Sequence, residues 1–410
     1  MDPAGGCPHA DNAGLLARGA VASVVLPGDV AGMAVLGHEA LKEFLAHPDV
    51  AKDARHFTEL AEGRIPDGWP LKTFATVRGM TTADGEDHRR LRSLVGKAFT
   101  ARRVEALRPR IETVTAELLD GVDRAAEDDG TVDLRARFAL PLPMGVICDL
   151  LGVDARYQDR LHRLSSQVVA TDTGPEQAIA ANRELVALLA AVAAARAEQP
   201  GDDLTSALIA ARDEGGGRLG QQELIGTLLL MIVAGHETTL NLVTNAVRAL
   251  CTHPDQLGLV RSGRARWADV VEETLRWDSP VSYFPFRYPT RDLTIGGTVV
   301  PQGTPVLAGY SAAGRDKAAH GPDADLFDVT RPARATAARH LSLGHGPHYC
   351  LGAPLARMEA TIALEQLFTR FPELDLAVSG TELPRHTGFV GNSTGTLPVR
   401  LRPATAPVAG

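Results

Sequence analysis

The sequence is poor in cysteine, and its few cysteines are not arranged as structural cysteines usually are. Its 410 residues include four, Cys7, Cys148, Cys251 and Cys350, which stand far apart without a Cys-x-x-Cys pair. This spacing argues against a zinc site and against a disulfide framework. A single thiol with a specialised task explains the pattern better.

Long apolar runs are also missing. The longest, 228–235 and 186–195, are shorter than the roughly 17 to 25 residues that a membrane-spanning helix needs. The N-terminal residues show no basic segment followed by an apolar core, which is the mark of a secretory signal. We therefore predict a cytoplasmic protein that makes no contact with a membrane.

The sequence has fewer basic than acidic residues, and its net charge is −8. This balance argues against a nucleic-acid partner. One stretch departs from it, since residues 88–110 are rich in Lys and Arg and contain Glu105 as their single acid. We expect a monomer that carries a local basic patch.

The composition is that of a globular protein with a large core. Hydrophobic residues make up 44% of the chain, and no linker rich in Pro, Ser or Gly divides its interior, which predicts a single domain over 1–410. Apolar residues mostly recur every three or four positions, which predicts a mainly α protein with a minor β region. The predicted helices are 39–46, 84–100, 103–129, 136–151, 157–170, 176–198, 221–253 and 353–371, and the predicted strands are 21–26, 34–36, 294–300, 304–308 and 396–401.

Cys350 lies in a loop rich in glycine, LSLGHGPHYCLGAPLAR, at 341–357. Gly344 and Gly346 allow the backbone to turn tightly and to lie flat against a planar ligand. The N–H groups of residues 351–353, at the start of a predicted helix, can point at the sulfur and stabilise its thiolate. A lone cysteine is otherwise most often a small buried hydrophobe.

The predicted helix 221–253 contains an unusual internal segment, AGHETT, at 234–239. A helical Gly costs about 1 kcal/mol relative to Ala, and hydroxyls compete for backbone carbonyls, so we predict a local bulge or kink. The His236-Glu237 pair is typical of a zinc-protease helix, but that motif needs a second His where Leu240 stands. For His236 we favour a structural or water-organising role.

Two charged pairs have helical spacing. His88 and Arg92 are four residues apart and share one helix face, which from spacing alone predicts a solvated basic face. Glu273 and Arg276 are three residues apart, the spacing of a surface ion pair worth at most about 1 kcal/mol.

Residues 343–352 match, with one exception, the haem-binding signature Phe-Gly-x-Gly-x-His-x-Cys-x-Gly of the cytochrome P-450 superfamily. The exception is Leu343, which stands where the family usually has Phe. The chain resembles this family, in particular its soluble actinobacterial members, over nearly its whole length. The resemblance implies haem b as cofactor and a mainly α fold with a minor β region, a triangular prism of about a dozen helices around the haem.

The resemblance also implies which residues bind the haem. The Cys350 thiolate would be the axial ligand of the iron. The further cofactor-binding positions in the loop and the long helix would be Leu343, Gly344, Gly352 and Ala234. The propionates would be bound by His88, Arg92, Arg287 and His348.

Two other motifs match the family. The AGHETT segment corresponds to its oxygen-activation motif, in which Glu237 and Thr238 would relay protons to dioxygen through ordered water. Glu273 and Arg276 correspond to a buried Glu-x-x-Arg pair that anchors the loop before the cysteine. The family often adds a third basic residue where Leu326 stands; Arg331 is the alternative, and the sequence leaves this open.

The implied activity is that of a monooxygenase, which inserts one atom of dioxygen into a C–H bond of an apolar small molecule such as a steroid, terpenoid or macrolide. The predicted pocket walls are Leu230, Val233, Ala234 and Phe284. A peroxygenase and a haem-binding sensor or carrier are the alternatives. The Glu237-Thr238 pair argues against both, because it serves the protonation of dioxygen.

Electrons must then come from other proteins, since no flavin or nicotinamide fingerprint is visible between a strand and a helix. The resemblance implies a ferredoxin and its reductase. The basic stretch 89–110 is the predicted docking surface. Its candidate contacts are Arg89, Arg90, Lys97, Arg102 and Arg103.

Overall fold

Helices dominate the structure. The computed structural model describes residues 8–66, 68–126, 129–169, 174–212, 216–333 and 338–401, so that Cys7 lies outside the described residues. The α-helices are α1 Pro8–Leu16, α2 His38–Ala46, α3 Thr58–Ala61, α4 Lys72–Thr76, α5 Gly85–Ala98, α6 Ala101–Ala106, α7 Arg108–Ala125, α8 Pro141–Leu151, α9 Gln158–Val169, α10 Pro175–Glu198, α11 Leu204–Ala210, α12 Gln221–Thr252, α13 Pro254–Arg261, α14 Trp267–Trp277, α15 Tyr310–Gly314, α16 Lys317–His320 and α17 Ala353–Arg370.

The β structure is minor, as predicted. The strands are β1 Val21–Leu26, β2 Val30–Val35, β3 Val50–Ala51, β4 Thr131–Asp133, β5 Tyr283–Pro289, β6 Leu293–Ile295, β7 Thr298–Val300, β8 Val306–Gly309, β9 Asp375–Leu376 and β10 Pro398–Arg400. Five of them form a sheet in the order β1-β2-β8-β5-β3, in which β2 and β8 are parallel. The sheet joins chain segments that are far apart in sequence, because β3 pairs with β5.

The long helix α12 lies at the centre of the largest core. Its fully buried apolar residues recur at helical spacing, Leu228, Ile232, Leu240, Val243 and Val247 among them. Helices α8, α10, α14 and α17 pack around it. The apolar period of the sequence therefore predicted this helix correctly, since a helix that is buried on several sides needs apolar residues on several faces.

The predicted bulge in α12 is wrong. The helix is α-helical without interruption over Gln221–Thr252. Thr238 Oγ donates a hydrogen bond to the carbonyl of Ala234 at 2.9 Å, the competition expected of a hydroxyl, without breaking the helix. Close packing explains the glycine at position 235, because a Cβ there would lie 3.1 Å from the side chain of Ile147 in α8.

The predicted helices 103–129 and 136–151 are each divided in the structure. The first becomes α6 and α7, and the second becomes a π-helix over Arg135–Ala139 followed by α8. Pro109 and Pro141 explain the breaks, because proline lacks an N–H and starts a helix more readily than it continues one. Residues 127–128 of the predicted helix 103–129, and residue 170 at the predicted end of the helix 157–170, lie outside the described residues.

Two helices are long and apolar enough to cross a membrane, by length and composition alone. They cover Glu176–Glu198 and Gln221–Thr252, whose most apolar 18-residue windows have mean hydropathies of 1.6 and 1.3. The search for apolar runs in the sequence missed both helices, because isolated polar residues interrupt each run. A buried core helix passes the same test, and α12 lies in the largest core.

Candidate functional site

The cysteine loop is a tight turn that leads into α17. Cys350 N donates to the carbonyl of Leu343 at 2.8 Å, which closes the loop on itself. Gly344 and Gly346 have φ angles of 79° and 70°, which side chains rarely tolerate. A Cβ at Gly346 would also lie 3.0 Å from a carbonyl oxygen at the end of α2. Both glycines are therefore required by the backbone, as predicted.

Cys350 is an exposed residue, although many protein atoms lie around its sulfur. Burial raises the pKa of this thiol, against the hydrogen bonds from the N–H groups of Gly352 and Ala353, which lower it. A Cβ at Gly352 would come within 3.9 Å of the sulfur. A metal ion bound to the sulfur would stabilise the thiolate further than the two N–H groups do, because metal coordination deprotonates a thiol.

Glu272, which our reading of the sequence missed, holds the loop from both ends. It accepts hydrogen bonds from Arg357 Nε at 2.5 Å and Nη2 at 3.0 Å, after the cysteine, and lies 3.2 Å from His340 Nε2, before it. Burial would raise the pKa of this carboxyl, but the bonds from His340 and Arg357 outweigh it and lower the pKa to about 2. Glu272 is therefore ionised and acts as a clamp.

The neighbouring Glu273 forms the buried pair that the motif predicted. Arg276 donates to both carboxylate oxygens at 2.8 and 2.7 Å, and the two residues are 3% and 1% exposed. The remaining donors of Arg276 bind carbonyl oxygens of residues 314, 324 and 326. Arg331 Nε lies 3.5 Å from Glu273, whereas the Leu326 side chain is exposed, so Arg331 is the third member of the network.

The four predicted propionate ligands come together. His88 on α5 and Arg287 on β5 are only 4% and 3% exposed, and the rings of His88 and His348 have centroids 4.1 Å apart. Arg92 Nη2 donates to the carbonyl of Tyr349 at 2.7 Å, which places α5 against the cysteine loop. Buried His88 Nε2 and Arg287 Nη1 have no hydrogen-bond partner among the described residues. Such orphaned donors fit an anionic ligand.

Lys52 is a further cation in this cluster and was not predicted. It is 5% exposed, and its Nζ donates to the carbonyl of Phe286 at 2.7 Å, beside Arg287. Burial, and then the charge of Arg287, lower the Lys52 pKa well below its usual value. Asp84 is close, but its carboxylate accepts the backbone N–H of Lys52 and does not hold the ammonium.

The positive charges of the cluster lower the pKa of a histidine beside them. The pKa of His348 is lowered to about 2 by burial and then by His88, Arg287, Lys52 and Arg92. A buried charge without a counter-ion is costly, by several kcal/mol. The sulfur of Cys350 receives two N–H groups, and basic side chains lie nearby. Together these groups fit haem, which offers an iron to the thiolate and two carboxylates to the basic side chains.

The oxygen-activation motif presents its acid and hydroxyl from α12. Glu237 Oε1 lies 3.8 Å from Arg135 Nη2, in the π-helix, and 3.7 Å from His386 Nε2. Glu237 Oε2 lies 3.6 Å from His236 Nε2. A second residue of α12 holds the Arg135 guanidinium in place, because Arg135 Nη1 donates to Asn241 Oδ1 at 3.0 Å. The carboxylate is thus surrounded by positive or protonatable groups.

The predicted pocket residues and Thr238 are only partly covered by protein. Ala234 is exposed, and Leu230, Val233, Thr238 and Phe284 are half-buried. Phe284 also carries Lys52 Nζ 5.0 Å above its ring. An apolar surface of this kind gains free energy when it is covered by an apolar ligand.

Comparison with known proteins agrees with this geometry. The family described as Cytochrome P450 matches residues 268–394. A 2-hydroxy-5-methyl-1-naphthoate 7-hydroxylase from Streptomyces carzinostaticus is 41% identical, over 100% of this chain and 98% of the relative. A 6-deoxyerythronolide B hydroxylase from Saccharopolyspora erythraea is 43% identical, over 90% and 89%. A testosterone-bound structure of CYP154C4 from Streptomyces sp. ATCC 11861 superimposes with a TM-score of 0.93 at 43% identity, over 98% and 97%.

The fold and site therefore define a haem-thiolate protein, and the chain belongs to the cytochrome P450 family. The predicted fold class and the haem b cofactor are confirmed. Homologues that are named hydroxylases and monooxygenases establish an oxidoreductase that incorporates oxygen. The roles of individual residues remain predictions.

We expect Glu272→Gln to destabilise the holoprotein at pH 7 by about 1 to 3 kcal/mol, the value of hydrogen bonds to a charged group. Because the folded-state pKa is about 2 and the ordinary value is 4.5, the clamp is fully present above pH 4.5 and is lost as the pH falls towards 2. The difference in unfolding midpoint between wild type and variant, measured in urea from pH 7 downwards, should therefore narrow below pH 4.5. Exposed Glu365→Gln on α17, the helix that carries Arg357, is the control, and an equal loss of stability there would contradict the clamp.

Lys52→Met should make the reduction potential of the bound haem more negative, because a positive charge beside the site favours the reduced iron. An interaction of about 1 kcal/mol corresponds to roughly 40 mV for one electron. Spectroelectrochemical titration measures the shift without a substrate. Lys52→Arg keeps the charge and should keep the potential; equal potentials in Lys52→Met and wild type would show that Lys52 does not act on the haem.

Proposed function

We propose that the protein hydroxylates a steroid, terpenoid or macrolide-like molecule in the cytoplasm, as a monomer that uses dioxygen and receives electrons from a ferredoxin and its reductase. The observation that carries this proposal is the meeting of Cys350, with its two N–H donors, and a group of basic side chains in which the buried atoms His88 Nε2 and Arg287 Nη1 have no hydrogen-bond partner among the described residues. Domain organisation is proposed as one unit over 1–410.

In this proposal the Cys350 thiolate would hold the haem iron, and haem would supply the chemistry that activates dioxygen. His88, Arg92, Arg287 and His348 bind the propionates. Gly344 and Gly352 allow the loop to approach closely, and Leu343 and Ala234 border the cofactor. Glu273 and Arg276 hold the segment that precedes the loop.

The proton for the reaction would pass through Glu237 and Thr238. Thr238 uses its hydroxyl hydrogen on the carbonyl of Ala234, which leaves the oxygen free to accept a proton or a hydrogen bond on the cavity side. Glu237 Oε1 faces half-exposed His386 at 3.7 Å, a group that can restore its proton. Arg135 Nη2 lies 3.8 Å from the same oxygen and helps to orient the carboxylate.

The substrate class is inferred from the pocket and from the relatives. The four wall residues, Leu230, Val233, Ala234 and Phe284, are apolar and offer no charged group to a ligand. The two relatives are named as hydroxylases of 2-hydroxy-5-methyl-1-naphthoate and of 6-deoxyerythronolide B, and the structural neighbour was solved with testosterone bound. A library of such compounds can be screened by the spectral shift that follows displacement of water from ferric haem.

The redox partner would dock on the basic surface of α5 and α6. The bond from Arg92 to Tyr349 supports this choice, because it brings α5 next to the cysteine loop. Arg89 and Arg102 are exposed, and Arg103 faces Asp202 only at 3.9 Å. Arg90 is bound to Glu223, and Lys97 donates to the carbonyl of Arg212, so these two are less available for a partner.

Thr238→Ala should retain substrate binding but lose coupling several-fold, with reductant diverted to hydrogen peroxide, because the proton path and not the pocket is damaged. Product, peroxide and reductant consumed are measured together, with the compound that gives the spectral shift. Thr238→Ser restores the hydroxyl and should restore coupling. Tight coupling in Thr238→Ala would refute the proposed relay.

Reversal of three charges, Arg89→Glu, Arg102→Glu and Arg103→Glu, should slow reduction by an acidic ferredoxin and leave the spectral binding of substrate unchanged. Opposite charges speed association, and salt screens them over a Debye length of about 10 Å at 0.1 M. Wild type should therefore slow steeply with ionic strength, and the triple variant should not. Dithionite serves as the control reductant; an unaltered rate and salt dependence would place docking elsewhere.

A further inference from the structure

We propose that His162 on α9, together with His236 and Glu237 on α12, forms a binding site for a divalent transition-metal ion, for which Zn²⁺ is the best match. The site joins two helices and shares Glu237 with the proposed proton relay. It gives His236 a function that the oxygen-activation motif does not.

The distances between the three ligand atoms suit a tetrahedral ion. His162 Nδ1 and His236 Nε2 are 3.2 Å apart, and His236 Nε2 and Glu237 Oε2 are 3.6 Å apart. All three atoms lie within 4.8 Å of one another. Bonds of about 2.0 to 2.1 Å at tetrahedral angles separate two ligand atoms by about 3.3 Å. Two of the three separations are therefore close to the required value.

His236 is already oriented as a metal ligand. It is fully buried, and its Nδ1 donates to the carbonyl of Ile232 at 2.7 Å. The proton is thus fixed on Nδ1 and the lone pair of Nε2 points at His162 and Glu237. A backbone carbonyl that orients a histidine in this way is the common outer support of metal sites.

His162 needs only a change of tautomer. Its ring is perpendicular to that of His236, with an interplanar angle of 85°. Without metal, Nδ1–H donates to His236; with the proton on Nε2, both lone pairs meet the ion. Burial lowers the pKa of both imidazoles, so both are neutral near pH 7, although Glu237 faces both and Asp159 faces His162 with the opposite effect.

Glu237 supplies the negative charge. Its Oε2 is buried and finds no hydrogen-bond partner in the part of the chain that the structure describes. Arg135 and His386 approach the other oxygen, Oε1, so the coordinating oxygen is free, while the Arg135 charge weakens the attraction. Ser165 Oγ, 3.5 Å from His236 Nε2, or a water can complete four ligands.

The ion would have two effects. It would connect α9 to α12, and it would occupy the carboxylate oxygen of the proposed proton relay. The second effect rests on the proposed role of Glu237, and it makes Zn²⁺ a reversible inhibitor. Binding itself depends on neither haem chemistry nor substrate.

The test is calorimetric titration of the haem-loaded protein with ZnCl₂. Wild type should bind one ion at micromolar Zn²⁺, and His162→Asn should bind it at least tenfold more weakly. The matched control is His386→Asn, which removes the imidazole on the Oε1 side and should bind Zn²⁺ as wild type does. Absence of a one-to-one site in wild type, or equal affinity in His162→Asn, overturns the proposal.

Two further measurements separate the site from the proposed function. Zinc-edge X-ray absorption of the one-to-one complex should show only N and O ligands with imidazole scattering, and this scattering should weaken in His162→Asn; an unchanged spectrum counts against the site.

Zn²⁺ should inhibit turnover of wild type more strongly than turnover of His162→Asn, and chelation of the zinc should restore the wild-type rate. Stoichiometric binding without inhibition would uphold the metal site and count instead against Glu237 as the proton relay.

Discussion

The structure depends above all on the cost of burying positive charge without a partner. Lys52, Arg287 and His88 are buried beside β5, α5 and the cysteine loop, and Asp84 is the carboxylate of the described chain that acts on Lys52 and His88. A further anion would stabilise this cluster, because a buried charge that is not compensated is costly. The cofactor is therefore part of the electrostatic balance of the fold, and the surrounding elements can be understood as the means by which the chain brings these cations to one place.

Two successive glutamates connect that cluster to the rest of the molecule. Glu273 faces Arg276 and Arg331 and is almost fully buried, while Glu272 faces His340 and Arg357 at the two ends of the cysteine loop. The first pairing fixes the segment before the loop, and the second fixes the loop itself. Helix α14 thus helps to position Cys350 through the two ends of the loop.

Local motifs could be predicted from the sequence, and long-range partners could not. The turn at Gly344, the helix after Cys350 and the core helix α12 follow from residues close together in the chain. Lys52 was missed because its partner carbonyl at Phe286 is 234 positions away. His162 was missed for the same reason, since apolar periodicity shows which face of α9 is buried but not that α12 covers it. The π-helix that turns Arg135 inward has no sequence signal at all.

The adjacency of Glu272 and Glu273 has a consequence for how this region tolerates insertions and deletions. Neighbouring residues on a helix point about 100° apart, so one helix orientation must satisfy both carboxylates. Removing or adding one residue of α14 before Glu272 would rotate both carboxylates by that angle relative to the preceding turns of the helix. The helix therefore has a fixed phase, and neither glutamate can change its direction without the other.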